Sequence, residues 1–376
     1  MKEATMGSED LPPLQRLSAL GQSVWIDYLS RQSIRGGHLQ TLMDDFAVVG
    51  ATSNPTIFQK AMTSDDAYDD QLHELAAQGK DVDETFWALA EQDIMDACDL
   101  FRPVWDGGGG RDGYVSLEVD PRLAYDALPT FREAMRLHEE VDRPNLMVKI
   151  PATKPGLAAI EDVVAKGRSI NVTLIFSLRR YAEVAESYLR GIERLVAEGG
   201  DPRKVASVAS FFVSRIDTET DRRLDEIGGH DELKGKLAIA NAKLAYSHYC
   251  EAFAGSRWEF LAGKGATPQR VLWASTSTKN PAYPDVMYVE ELIGPDTVDT
   301  MPEETIEAYQ DHGDPQVRLD KGLDEARRVL DELAKAGVDY DDVTQTLERE
   351  GVEKFAQSFE DLMKALRAKQ ESLAPA

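Results

Sequence analysis

An α/β fold, a (β/α)8 TIM barrel with additional helices and a C-terminal helical extension, is what this sequence predicts. Three features lead to it: eight short β-branched or apolar runs, helical periodicity between them, and 376 residues, a length that one barrel with insertions accommodates. Strand-like runs alternating with longer helical patterns are how a parallel sheet of βα units reads in sequence.

The first run is SVWIDYLS at residues 23–30, followed by AVVGATS at 47–53. A glycine-rich stretch at 107–113 reads as a flexible loop leading into the third run, YVSLEV at 114–119. The fourth, LMVKIP at 146–151, precedes a helix whose apolar face shows at Leu157, Ile160 and Val164. The fifth is INVTLIF at 170–176. After it Tyr181, Val184, Tyr188, Ile192 and Leu195 recur at helical steps, the stripe of a helix that covers the barrel wall. VASVASFFV at 205–213, VLWAST at 271–276 and DTVDTM at 296–301 complete the set. Beyond them, Leu319, Leu323, Ala326, Leu330 and Leu333 mark one helix and Phe355, Phe359, Met363 and Leu366 another, with an Asp-rich turn at 339–342 between. No internal repeat or long linker divides the chain, so residues 1–376 are expected to form one domain with 303–376 as its C-terminal helical part.

Composition narrows the function. A formal charge of −25 repels nucleic acid and anionic membranes, and an anionic substrate would need local cations. The two cysteines, Cys98 and Cys250, are far apart and outside any C-x-x-C pattern, so neither a disulfide framework nor a zinc ribbon is indicated. Residues 1–10 contain no apolar core and no stretch has the apolar length of a membrane span, so a soluble cytoplasmic protein is expected. Gly263 and Lys264 suggest a phosphate loop, but Trp258 stands where its earlier glycine belongs and Gly265 replaces the Ser or Thr. The acidic cluster Asp65, Asp66, Asp69 and Asp70 lacks calcium-loop spacing and reads as the start of a solvated helix. His38, His73, His138, His230, His248 and His312 are scattered without ligand spacing, so no metal is implied.

Side chains near the C-terminal ends of barrel strands surround one pocket, which directs attention to polar residues embedded in apolar runs. These are Asp27, Asn54, Glu118, Lys149, Asn171 and Thr173. Lys149 is flanked by Leu146, Met147, Val148 and Ile150. Burial among such residues disfavours an ammonium, and the neutral amine is a nucleophile able to form a Schiff base with a ketone. Spacing alone equally allows Lys149 to snorkel to solvent or to pair with Glu118.

Two segments are more specific. ATSNPTIF (51–58) resembles the T-[ST]-N-P signature of the transaldolase family, and LMVKIPATKPGLAAIE (146–161) resembles its lysine signature. VSLEVDPRLAYD, SINVTLIFS and ASFFVSRID are similar to the family's other strand-end segments, so the likeness runs from the first strand to the eighth. The resemblance implies that Lys149 is the Schiff-base lysine and Asp27 the acid/base at the C4 hydroxyl, while Glu118 and Thr173 hold a catalytic water. It places Asn54 and Asn171 on the hydroxyls of a dihydroxyacetone unit; the bland alternative for Asn54 is a turn, because Asn-Pro is a turn dipeptide. Phosphate recognition falls on Arg215, with Ser210 and Phe212 at the same strand end, since a guanidinium matches phosphate bidentately. An ion pair of Arg215 with Asp217 or Asp221 is the alternative.

The seventh segment, WASTSTKNPAYPDV, departs from the family's shorter Ala-Ser-Phe-Arg-Asn pattern: Ser275 keeps its place, the second arginine is missing, and Lys279 follows an apparent insertion as the candidate replacement. The length and the C-terminal helices resemble the longer, bacterial-type subfamily. That resemblance implies a transferase of the pentose phosphate pathway. It would move a dihydroxyacetone unit from sedoheptulose 7-phosphate to glyceraldehyde 3-phosphate, giving erythrose 4-phosphate and fructose 6-phosphate without a cofactor. A fructose-6-phosphate aldolase and a non-catalytic sugar-phosphate-binding barrel are the alternatives. Glu118 favours transfer, since the family's small aldolases generally carry another residue there. A monomer and a homodimer both remain open.

Overall fold

The computed structural model describes residues 11–64 and 66–373; residues 1–10 and Asp65, which entered the expectations on a leader and an acidic helix start, lie outside the described residues. Eight strands form where the eight runs were expected: β1 Gln22–Ile26, β2 Val48–Thr52, β3 Val115–Glu118, β4 Leu146–Pro151, β5 Ile170–Ile175, β6 Ser207–Phe212, β7 Arg270–Ala274 and β8 Thr297–Met301. They close into a barrel in sequence order, and β8 meets β1 in parallel with Val24 opposite Asp299 and Ile26 opposite Met301. The first run was read through to residue 30, but the strand stops at Ile26. The chain leaves the sheet so that Ser30 can cap the helix Arg31–Arg35, its side chain accepting from Ser33 N while Ser33 returns the bond.

Helices cover the outside. Lys154–Ala165 starts with Thr153 capping Gly156 N and proline in its first turn, the arrangement that satisfies or removes orphan N–H groups. Leu178–Ala197 buries Tyr181, Val184, Tyr188 and Ile192 completely, so the stripe legible in the sequence is the face laid on the barrel. Inside, Trp25 presses on β2 so closely that a β-carbon at Gly50 would lie 2.6 Å from the indole; glycine is what lets the strand pass the ring.

The glycine-rich loop before β3 is tied down, not free as expected. Asp112 accepts from Ser23 Oγ at 2.8 Å, from Trp25 Nε1 at 3.2 Å and from Arg270 at 2.9 Å, while Arg270 also donates to Ser23 Oγ at 2.8 Å. This partly buried tie crosses the N-terminal end of the barrel, opposite the end at which the strands finish.

The C-terminal part is helical, with Glu303–His312, Leu323–Ala336 and Tyr340–Leu373. Leu319 falls before the second of these, where its N–H bonds Ile293 O. The Asp-rich stretch is the start of the last helix, Asp339 accepting from Asp342 N at 3.1 Å. That helix runs past the C-terminal ends of the strands. Asp342 pairs with Arg223, Glu348 with Arg180, and Ser358 hydrogen-bonds Thr56. Among the described residues no helix is long and apolar enough to cross a membrane.

Candidate active site

Strand register sets the site. Glu118 of β3 lies opposite Lys149 of β4, Lys149 opposite Asn171 of β5, and Pro151 opposite Thr173. Partners in register on parallel strands share a face, so these polar residues all point into the barrel near its C-terminal end. Lys149 is 5 % exposed; its Nζ donates to Ser53 O at 3.1 Å and lies 3.9 Å from Glu118 Oε2. Burial pushes Glu118 up to about 7, with Lys149 pulling it down, Asp27 pushing it further up and Arg215 pulling it down. Both carboxylate oxygens of Glu118, and Thr173 Oγ1, are buried without a hydrogen-bond partner among the described residues.

A cavity of about 350 Å³ opens here. Asp27, Asn54, Lys149, Thr173, Ser210, Phe212, Arg215, Ser275 and Lys279 all line it, so nine of the expected residues converge from the ends of six strands, β1, β2, β4, β5, β6 and β7, and the segments that follow them. Asp27 sits just beyond β1 and accepts from Thr52 Oγ1 at 2.7 Å, whose hydroxyl also meets Thr300 Oγ1 at 2.9 Å. Asn54 does form the turn that its Asn-Pro context suggested: its Oδ1 caps the following helix at Ile57 N, while the residue still faces the cavity.

Asn171 and Glu118 are placed differently: neither is among the lining residues, and Asn171 is wholly buried. The amide of Asn171 is engaged at both ends, donating to Ser116 Oγ at 3.0 Å and accepting from Ser210 Oγ at 2.7 Å. It therefore orients Ser210.

Arg215 opens the helix Ser214–Ile227 beyond β6, with its guanidinium 5.1 Å from the Phe212 ring centroid. The ion pair weighed for it does not form: Asp217 accepts from Ala238 N and Tyr288 Oη, and Asp221 from Gly235 N and Tyr283 Oη. Burial lowers the Arg215 pKa from its ordinary value while the charges of Asp27 and Glu118 support the cation. Ser275 takes a left-handed backbone (φ 60°) after β7, bonded through Oγ to Ser214 at 2.9 Å, and Lys279 Nζ donates to Ser277 Oγ at 2.6 Å. Besides Lys149, the basic side chains of Arg215, Lys279 and Lys60 thus border a cavity in an acidic protein.

Sequence reading missed Thr52 and Thr300, which were visible as polar residues within apolar runs, and Lys60, Ser277 and Phe355, which no strand pattern marks. Among the described residues no group of three or more His, Cys, Asp or Glu side chains is arranged to hold a metal.

The family model described as transaldolase/fructose-6-phosphate aldolase matches residues 24–366. A protein of Saccharopolyspora erythraea named transaldolase is 53 % identical over 355 residues, covering 94 % of this chain and 96 % of that one. One of Acidothermus cellulolyticus with the same name is 54 % identical over 356 residues, at 94 % and 96 % coverage, and one of Mycobacterium bovis is 51 % identical over 361 residues, at 95 % and 97 %. With its barrel, its buried lysine and this near full-length similarity, the chain belongs to the transaldolase/fructose-6-phosphate aldolase family.

Proposed function

We propose that this protein is a transaldolase working through a Schiff base on Lys149, with sedoheptulose 7-phosphate and fructose 6-phosphate as donors and glyceraldehyde 3-phosphate and erythrose 4-phosphate as acceptors. The observation that carries the reading is the buried amine of Lys149 in the wall of a cation-bordered cavity, 3.9 Å from a carboxyl raised to about 7. Lys149 adds to the C2 ketone of the donor. Glu118 and Thr173, whose buried oxygens are unpartnered, hold a water that carries protons to and from the carbinolamine as it loses water to become the iminium. Asp27, fixed by Thr52, takes the proton of the C4 hydroxyl; the C3–C4 bond breaks, an aldose phosphate leaves, and its bonding electrons stay as an enamine on the lysine. The enamine carbon then bonds the aldehyde carbon of the acceptor, Asp27 returns the proton, and hydrolysis frees the product.

Arg215, Ser275 and Lys279 bind the phosphate at the far end of the donor, Asn54 meets the hydroxyls of the three-carbon unit, and Asn171 acts on them through Ser210. Phe212 supports the guanidinium of Arg215 with its ring. Cytoplasmic residence in the pentose phosphate pathway follows from such substrates. Borohydride added with fructose 6-phosphate should fix a three-carbon unit on Lys149, and Lys149→Met should abolish turnover with the fold retained. An adduct mapped to Lys279 or Lys154 overturns the assignment. Omitting erythrose 4-phosphate decides between transfer and simple cleavage: a transferase stalls, a lyase does not.

A further inference from the structure

Phe355 belongs to no strand end. It lies in the 34-residue helix Tyr340–Leu373, is 4 % exposed, and among the described residues is with Phe212 one of two aromatic side chains lining the cavity. The helix that delivers it is fastened along its length. Tyr340 Oη donates to Asn241 Oδ1 at 2.7 Å and accepts from Leu178 N at 3.0 Å; Ser358 meets Thr56 at 2.9 Å; and Gln370 Nε2 donates to Thr85 Oγ1 at 2.7 Å.

One turn before Phe355 the helix touches the barrel at an unusual place. Leu174, directly after Thr173, holds a left-handed backbone (φ 60°), and the pairing of β5 with β6 shifts register between Val172 and Ile175. A leucine in that region is strained and persists only when its surroundings hold it. Gly351 is what meets it: a β-carbon there would come within 2.9 Å of Leu174 Cδ2 and 3.6 Å of Phe176. The last helix is therefore seated on the bulge beside Thr173, and this seat sets how far Phe355 reaches into the cavity.

We propose that Phe355 is a wall that decides the fate of the three-carbon unit held by the enzyme, favouring its transfer to an aldose phosphate over its release to water; the inference rests on the Schiff-base reading of Lys149. Both fates start from the enamine left when the first aldose phosphate departs. In transfer its carbon bonds the acceptor aldehyde. In release that carbon takes a proton instead, water adds to the resulting iminium carbon, the lysine amine leaves, and free dihydroxyacetone forms. No oxidant or further reactant is needed, so the split depends on whether the enamine carbon meets a proton from bulk water or the acceptor aldehyde first. A closed apolar wall favours the acceptor, because excluding water suppresses side reactions of a reactive intermediate.

The test uses the full chain and its Phe355→Ala, Phe355→Leu and Gly351→Ala variants, with fructose 6-phosphate as donor and erythrose 4-phosphate as acceptor. Free dihydroxyacetone, transferred product and borohydride-fixed adduct on Lys149 are measured together. Phe355→Ala should raise the ratio of release to transfer by about tenfold, as expected when bulk water gains access to a reactive intermediate, with the adduct still formed on Lys149. Phe355→Leu and Gly351→Ala should raise it less. An unchanged ratio in a folded Phe355→Ala protein that still forms the adduct overturns the proposal; should that variant not fold, unchanged ratios in both other variants do the same. Absence of the adduct in the parent protein overturns the Schiff-base reading instead.

Discussion

Burial makes Glu118 a group that exchanges protons near neutrality. With its carboxyl raised to about 7, it is a proton donor below that pH and loses this capacity above it. Schiff-base formation needs an acid when the carbinolamine sheds water, so its rate, read by borohydride quenching, should decline above about pH 7. Glu118→Gln should lose that alkaline limb and be slower on the order of 10²-fold, the scale of a positioned acid/base group. An intact limb in the variant would remove Glu118 from the chemistry. Arg215 invites a different measurement. If it grips phosphate, Arg215→Ala should raise KM for fructose 6-phosphate over that for unphosphorylated fructose by about 2 to 3 kcal/mol, and Lys279→Ala by less, since an exposed ammonium is less preorganised. Equal losses on both donors would mean the two residues support the barrel. Glu118 was legible because a charge inside an apolar run is conspicuous, Arg215 because its segment resembles the family's, and Lys279 because its segment departs from the family's pattern. Phe355 was not, since a phenylalanine on a helical stripe looks the same whether it faces a barrel wall or a substrate.

At the scale of elements, the segment after β1 is held by a buried triad. Arg31 Nε meets Asp93 Oδ1 at 2.7 Å, Tyr68 Oη donates to Asp93 Oδ2 at 2.7 Å, and Arg31 N donates to Tyr68 Oη at 3.1 Å. This anchors the segment that follows Asp27 to the helix Val82–Gly107. Asp93→Ala leaves a guanidinium buried and unpaired and should cost about 3 to 5 kcal/mol in urea unfolding, whereas loss of the exposed Arg102–Asp106 pair through Asp106→Ala should cost about 0.5 kcal/mol or less. Equal costs would show that the triad is not the anchor. The strands were readable because each is a short apolar run, and their ends were less so: Ser30 reads as a strand residue until its capping partner three positions on is considered. Leu319 fits a helical period yet bonds Ile293, a long-range choice that local spacing does not encode.

For the molecule as a whole, burial gives stability an unusual pH dependence. Asp217 and Asp299 are both raised from 3.8 to about 7 by burial, against the hydrogen bonds that each accepts. A folded acid with a raised pKa binds protons more readily than the unfolded chain, so its destabilising charge is complete above pH 7 and is relieved as pH falls toward the unfolded value. His138, which burial pushes down to about 4, acts in the opposite sense only below about its ordinary 6.5. Between pH 8 and 6.5 acidification should therefore stabilise the protein, by roughly 1 kcal/mol for each such acid, and Asp299→Asn should remove its share of the trend. A flat or reversed Tm in the parent over that range would contradict this. The tie across the N-terminal end of the barrel bears on how the protein comes to be folded at all. Asp112 joins Ser23 to Arg270, residues 247 positions apart, and they meet only when β8 has found β1 and the circle is shut. Contacts of such long range form late, because loop closure must precede them. Asp112→Ala should accordingly speed unfolding much more than it slows refolding in stopped-flow traces, which marks the tie as a latch set after assembly; a larger effect on refolding would place it in the nucleus.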